Sequence, residues 1–265
     1  MTAEGARSFE VSGKAYDRFM GRYSGPLAAA FVDALGIEPG LRVLDVGCGP
    51  GALTGELVRR LGPNGVHAVD PSESFVAACR ERNPGVDVVL GRAEELPHPD
   101  AAFDAALAQL VLHFVTNPEA AAAEMRRVVR PGGLVAASVW DFGEGMTMLR
   151  EFWSASRELD PNAPAESEQR RFGRDGAIAE LFAGAGLEDG RSGALDVSAA
   201  YESFDDFWAP FSGGVGPAGA YVVSLDELQR NRLRDDLRDR LNSPDGPFTL
   251  SARAWFATGR VPGRK

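Results

Sequence analysis

Short apolar runs, each bounded by Gly, Pro, Asp or Asn, recur along the first half of the chain. They are RVLDV (Arg42 to Val46), GVHAVD (Gly65 to Asp70), VDVVLG (Val86 to Gly91), FDAALAQL (Phe103 to Leu110) and GLVAASVW (Gly133 to Trp140). Their length and punctuation predict strands. Between them, apolar residues at helical spacing predict helices over Ala52 to Leu61, Ser74 to Glu81 and Pro118 to Val129. Strands that alternate with helices need right-handed crossovers, which build a parallel sheet covered on both faces. The expected fold class is therefore α/β, a doubly wound domain.

The rhythm changes after Trp140. A polar and aromatic segment from Asp141 to about Arg191 predicts helices, LDVSAAY (Leu195 to Tyr201) a strand, and FTLSARAWFAT (Phe248 to Thr258) a last strand that completes the sheet. Before that last strand Leu225, Leu228, Leu233, Leu237 and Leu241 lie roughly on one helical face, and core packing is expected of this row rather than a partner surface. Residues 141–191 and 201–247 are then helical insertions within one domain spanning 1–265. In an open α/β sheet, insertions after the C-terminal strand ends sit over the ligand crevice as a cap. Their aromatic load (Phe142, Phe152, Trp153, Phe172, Phe204, Phe207, Trp208, Phe211 and Tyr221) suits the walls of an apolar pocket, although packing on the sheet would use the same side chains.

Composition narrows the chemistry. With 265 residues, 44% hydrophobic and 25% charged, the chain can bury a full core without staples. No stretch reaches the ~20 apolar residues of a membrane span, and the first residues lack a signal-peptide core, so a cytoplasmic location is expected. Two cysteines, Cys48 and Cys79, and three histidines, His67, His98 and His113, supply neither a disulfide framework nor a rich ligand set, and no metal is expected. A net charge of −10 repels phosphate backbones and argues against a nucleic-acid partner.

The turn after the first strand, VLDVGCGPG, carries Gly47, Gly49 and Gly51 and leads into a helix. Glycines there let the backbone turn tightly and approach a ligand. The spacing of Gly47, Gly49 and Ala52 also fits a dinucleotide fingerprint. Asp45 discriminates: a carboxylate beside the turn repels a pyrophosphate but can hold an ammonium group, directly or through water. Asp70, ending the second strand about twenty residues on, is placed to accept ribose hydroxyls. After the third strand, GRAEELP offers the backbone of Arg92 and Ala93 and the carboxylate of Glu94 at the edge of a base.

VLDVGCGPG, VD at 69–70, AEELP, FDAALAQLVLHF and VVRPGGLVAASVW resemble the successive motifs of class I S-adenosylmethionine-dependent methyltransferases. More narrowly they resemble the small-molecule branch that includes the ubiquinone and menaquinone methyltransferases. The resemblance covers residues 14 to about 140. It implies a Rossmann-like sheet of seven strands, mostly parallel, in the order 3-2-1-4-5-7-6 with the seventh antiparallel, and S-adenosyl-L-methionine as cofactor. Asp45 and Gly47 would then face the methionine moiety, Asp70 the ribose, Ala93 and Glu94 the adenine, and Gln109 and Leu110 the sulfonium, with Gly49 and Pro71 also among the cofactor-binding residues. AYDRFMGRYS resembles the segment that folds over the cofactor in such enzymes, so residues 1–40 would supply helices there. Tyr16 and Arg22 would lie near the methionine end, with Arg22 suited to its carboxylate.

The expected activity is methyl transfer to an oxygen, nitrogen or carbon of a small, largely hydrophobic metabolite. A nicotinamide-dependent oxidoreductase shares the sheet, but lysine occurs only at Lys14 and Lys265, which leaves no Tyr-x-x-x-Lys pair after the fourth strand. The end of that strand, AQLVLHF, also lacks the Asn/Asp-Pro-Pro-aromatic motif of amino-methylating nucleic-acid enzymes. A module that binds the cofactor or a metabolite without turnover stays open. His113, four positions beyond Gln109, is the histidine placed for a general base, and it is equally suited to packing between Leu112 and Phe114.

Overall fold

Each apolar run predicted between Arg42 and Trp140 is a strand in the computed structural model, which describes residues 17–163, 171–214, 216–242 and 246–263. The strands are β1 (Val43–Val46), β2 (Val66–Asp70), β3 (Asp87–Leu90), β4 (Phe103–Gln109), β5 (Val129–Trp140), β6 (Glu188–Tyr201) and β7 (Phe248–Arg260). They form one sheet in the order β3-β2-β1-β4-β5-β7-β6. β1 to β5 pair in parallel, and β7 runs antiparallel to both β5 and β6. Expected topology and observed topology agree. The order reverses between β1 and β4, so the crevice at their C-terminal ends is where such sheets hold ligands.

The helices of the doubly wound part are α1 (Arg22–Leu35), α2 (Ala52–Leu61), α3 (Glu73–Arg82) and α4 (Pro118–Val128). Local chemistry sets their starts: Ser72 accepts the Phe75 N–H, and Asn117 accepts the Ala120 N–H with Pro118 in the first turn. Alternate residues of β4 and β5 feed opposite layers, both buried. Leu107, Ala136 and Trp140 pack with Tyr23, Leu27 and Phe31 of α1. Ala106, Ala108, Val135 and Val139 pack with Met125 and Val128 of α4 on the other face.

The second half follows the prediction with two differences. Among the described residues of the segment 141–191, α5 (Thr147–Leu159) lies with the later helices, whereas α6 (Ala177–Gly184) lies on the opposite face, where Ile178 and Phe182 pack with Met125. It is an ordinary crossover helix, set there by the right-handed route from β5 to β6. β6 also begins at Glu188, seven residues before the predicted Leu195, because its exposed polar start EDGRS pairs with β7 at the sheet edge without an apolar pattern. The cap is completed by α7 (Phe204–Ser212), α8 (Gly216–Ser224) and α9 (Glu227–Arg240). Its aromatics are core rather than pocket walls: Phe152 stacks on Phe211 at 4.8 Å, Phe19 meets Phe211 edge-on at 5.2 Å, and Phe207 lies 5.3 Å from Phe211.

The leucine row divides. Leu233 and Leu237 are fully buried while Leu228 is 62% exposed. Leu237→Ala is therefore expected to cost about 2–5 kcal/mol in urea unfolding, and Leu228→Ala less than about 0.5 kcal/mol.

Candidate functional site

A cavity of about 330 Å³ opens at the C-terminal ends of β1, β2 and β4, a volume typical of small-ligand sites. Gly47 and Gly49 line it from the turn after β1, Asp70 and Pro71 from the end of β2, Ala93 and Glu94 from the loop after β3, and Gln109 and Leu110 from the end of β4. The structure thus gathers eight of the expected residues around one space. Ser24, Phe75 and Phe114 join them, and no sequence signal had marked these three.

The glycine loop is held by its own amides. Gly47 N–H (2.7 Å) and Cys48 N–H (3.0 Å) both donate to the Val69 carbonyl, Gly49 N–H to Asp70 Oδ2 (2.9 Å), and Gly51 N–H to the Cys48 carbonyl (3.0 Å). Pro50 has no N–H. All four N–H groups of residues 47–51 are therefore engaged within the protein, and none is left to cradle a phosphate. Gly47 has φ 73°, and a Cβ there would stand 2.5 Å from a Val111 methyl carbon. A side chain is excluded by both conformation and space. Gly49, with φ 52°, has nothing within 4 Å of its Cβ position, which leaves room for a ligand to approach the backbone.

Asp70 accepts the Gly49 N–H and, at 2.9 Å, the Ser72 N–H. Burial pushes its carboxyl above the usual range, and these two donors oppose that rise. Its oxygens keep further lone pairs for hydroxyls. Glu94 Oε1 accepts from Arg92 (3.1 Å) and from the Thr116 N–H (3.2 Å). Burial raises its carboxyl, but its own backbone N–H, Arg92 and Thr116 outweigh burial and hold it low.

Asp45 sits differently from the expectation. It is 1% exposed, lies under the loop outside the cavity lining, and accepts the Thr54 hydroxyl at 2.6 Å. Burial pushes its carboxyl up to about 8, opposed by Thr54. It acts on the pocket through the loop above it rather than by contact. Arg22 is a correction too: its guanidinium turns away from the cavity and makes a two-pronged pair with Asp206, donates to the Ala200 carbonyl at 3.0 Å, and lies over the Tyr201 ring. Its position on α1 faces β6 and α7, so it braces the cap. Tyr16 lies outside the described residues. His113, in the turn Leu112–Phe114, is half-buried with its ring 4.0 Å from Phe114 and 5.3 Å from Phe142. It does not line the cavity, whereas its neighbour Phe114 does.

At the ends of β4 and β5 the structure departs from ordinary rules. Leu110 has φ 63°, left-handed for a branched residue, which costs about 1–2 kcal/mol. Gln109 Nε2 donates to the Ser24 carbonyl at 3.0 Å, which orients the amide, while its Oε1 has no hydrogen-bond partner. Ser138 Oγ and Trp140 Nε1, from the register-matched end of β5, are also buried without partners. Each such atom costs about 1–3 kcal/mol. Among the described residues no group of three or more His, Cys, Asp or Glu side chains could hold a metal ion, and no helix is long and apolar enough to cross a membrane.

The displaced Asp45 makes stability pH-dependent. A folded-state value near 8 against an ordinary 3.8 means the folded protein holds this proton more tightly than the unfolded chain. Stability is expected to fall as pH rises from about 4 to about 8, and Asp45→Asn to flatten that fall in denaturant titrations across the range.

Comparison with known proteins agrees with this geometry. Residues 44–137 match a family model described as a methyltransferase domain. The ubiquinone/menaquinone biosynthesis C-methyltransferase UbiE of Cupriavidus taiwanensis is 43% identical over 105 residues, which span 38% of this chain and 43% of that protein. The chain therefore spans less than half the length of that relative. A S-adenosylmethionine-dependent methyltransferase from Thermotoga maritima shares the fold with a TM-score of 0.58 at 21% identity, covering 96% of this chain and 99% of the other. The [4+2]-cyclase SpnF shares it at 0.55 and 21% identity, covering 90% and 81%. Residues 44–137 are thus similar to a methyltransferase domain, and the motif loop and sheet order around them are those of the methyltransferase fold.

Proposed function

We propose that the protein transfers a methyl group from S-adenosyl-L-methionine to a small, largely hydrophobic metabolite. The observation that carries this is the loop whose N–H groups from residue 47 to residue 51 are all engaged, beside a pocket edged by Asp70 and Glu94. A nucleotide phosphate finds no free amide in that loop, and the cation that lines the pocket, Arg92, is paired with Glu94. A nucleoside with a cationic tail finds hydroxyl and ammonium acceptors. Asp70 would accept the ribose hydroxyls, Ala93 and Glu94 would meet the adenine edge, with Phe75 and Phe114 as apolar walls, and Gly47 and Gly49 would let the methionine part approach the backbone.

When bound, the cofactor supplies a methyl group already activated by the positive charge on sulfur, for in-line displacement by the acceptor. The chain's part is to hold an acceptor near the Gln109 end of the pocket and to keep water away. Alignment of that kind supplies about 7–11 kcal/mol of barrier reduction. Of the unpartnered polar atoms at the ends of β4 and β5, Gln109 Oε1 belongs to a residue that lines the cavity, and it supports a metabolite that carries a hydrogen-bond donor on an apolar body. Water exclusion falls to the cap, whose helices α5, α7, α8 and α9 would close over it. SpnF, a cyclase on the same fold, favours a second reading in which the cofactor pocket serves something other than methylation.

Asp70→Ala is expected to weaken S-adenosylmethionine binding by about 1.5–3 kcal/mol in calorimetric titration, the range for hydrogen bonds to a charged group; unchanged affinity would remove the ribose assignment. Incubation with labelled S-adenosylmethionine and a panel of phenols, amines and activated carbons tests turnover itself, and binding without transfer to any of them favours the second reading. If His113 moves a proton, His113→Ala lowers kcat about 100-fold or more near neutral pH with cofactor affinity intact. If it packs against Phe114 and Phe142, the same variant loses thermal stability and keeps kcat.

A further inference from the structure

Cys48 and Cys79 meet in a small cluster with Ala68, Val76 and Val88. Cys48 belongs to the glycine loop and lines the pocket, while Cys79 comes from α3 directly beneath the loop. The fit is close: a Cβ on Gly51 would stand 3.0 Å from Cys79 Sγ and 3.5 Å from its Cα. The Cys48 thiol donates toward the Gly49 carbonyl at 3.6 Å, and the Cys79 thiol donates toward the Thr54 hydroxyl oxygen at 3.6 Å and accepts from the Asn83 amide at 3.7 Å, both sulfurs lying in the one cluster. Filling the turn needs one small side chain. It does not need two thiols in contact, one of them on the wall of a ligand site.

We propose that Cys48 and Cys79 are an oxidisable pair, closed to a disulfide by hydroperoxides that enter through the cofactor pocket, and that the closed form binds cofactor weakly. Hydrogen bonding with Cys48, then Thr54 and Asn83, outweighs burial and brings the Cys79 thiol down to about 7, while Cys79 and burial push the Cys48 thiol up, so near neutral pH the pair ionises with its remaining proton on Cys48. Cys48 is the sulfur a peroxide reaches, being 6% exposed on the pocket wall where Cys79 is fully buried. Once that proton passes from Cys48 to Cys79, the Cys48 thiolate attacks the peroxide, the O–O bond breaks, and Cys48 sulfenic acid and hydroxide result. Cys79 then gives its proton to that hydroxide, and its sulfur displaces the sulfenic hydroxyl. The net change is two thiols and one peroxide to one disulfide and two waters, with two electrons passing from sulfur to oxygen. The new bond draws the Cys48 side chain off the pocket wall toward α3 and tethers the loop. A cofactor in the pocket covers Cys48, so cofactor and disulfide oppose each other, and by linkage each lowers the other's stability equally.

The test treats the full chain with hydrogen peroxide, with and without saturating S-adenosylmethionine, and maps peptides without reduction. The expected result is a Cys48–Cys79 linked peptide, formed about tenfold more slowly with cofactor present, and about tenfold weaker cofactor binding by the oxidised protein that dithiothreitol reverses. Cys79→Ser is expected to leave a Cys48 sulfenic acid that dimedone traps. Cys48→Ala is expected to leave Cys79 unmodified because no reagent reaches it. Progress of wild-type Cys48 to sulfinic acid with no linked peptide would overturn the proposal, as would linkage that leaves cofactor affinity unchanged. Failure of the reduced protein to bind cofactor would instead count against the proposed function, and it is seen separately because the linkage is read by peptide mass.

Discussion

Two hydrogen bonds to one carbonyl set the geometry on which the rest depends. Val69, the penultimate residue of β2, accepts from both Gly47 and Cys48, and Asp70 beside it takes Gly49. The parallel register Asp45↔Ala68 and Val46↔Val69 brings the loop to that place. Once made, these bonds fix the loop and also consume its donors. The pocket edge is left presenting carboxylates, a surface for hydroxyl and ammonium groups. Asp45 below the loop completes this by exclusion, since a carboxyl pushed toward neutrality by burial gains from a positive charge placed nearby and loses from a negative one.

A single turn of α1 ties crevice and cap together. Arg22, Tyr23 and Ser24 are consecutive, so successive side chains diverge by about 100° around the helix. Arg22 reaches Asp206 at the start of α7, Tyr23 meets the Tyr201 hydroxyl at 3.0 Å, and the Ser24 carbonyl receives the Gln109 amide. Burial holds the Tyr23 and Tyr201 hydroxyls well above their ordinary range, Tyr201 at about 12, so this contact stays neutral at physiological pH. These three contacts join α7 and the end of β6 to the residue whose carbonyl orients Gln109 at the pocket.

The parallel half of the fold was legible because its strands are fully buried and read as unbroken apolar runs between turn residues. The start of β6 was not: at a sheet edge with its side chains in water, pairing with β7 alone makes Glu188 to Ser192 a strand. Site residues on strand ends were legible for a related reason, as glycine and aspartate at a β-to-α turn have few other uses. Arg22 misled because charge says what a side chain can bind, and only the packing of α1 says which way it faces. Ser24 contributes a backbone carbonyl, for which no residue type is a signal. The cap aromatics were open to two uses, and packing density decided between them: rings 4.8–5.3 Å apart leave no room for a ligand.

Four costs that folding alone does not justify gather at one end of the sheet, while others, such as the left-handed Phe172 and the unpartnered Trp255 indole, lie elsewhere. A left-handed Leu110, a half-satisfied Gln109, and the unpartnered Ser138 hydroxyl and Trp140 indole all lie at the C-terminal ends of the two central strands. Elsewhere local rules agree with the fold at several helix starts: Ser72, Asn117 and Ser203 cap theirs through the side chain, and the α9 start has a full capping box between Asp226 and Gln229. A residue set selected only for stability would replace Ser138 by Ala and relax Leu110 to glycine or asparagine, and would gain at each step. The same atoms become an asset if a ligand supplies the missing partners, because an acceptor metabolite that satisfies Gln109 repays desolvation already spent, whereas one lacking the matching group leaves it unpaired and is rejected. Of these atoms Gln109 Oε1 alone belongs to a residue of the cavity lining, so under the proposed function it is this amide oxygen, more than the apolar walls around it, that would select the acceptor.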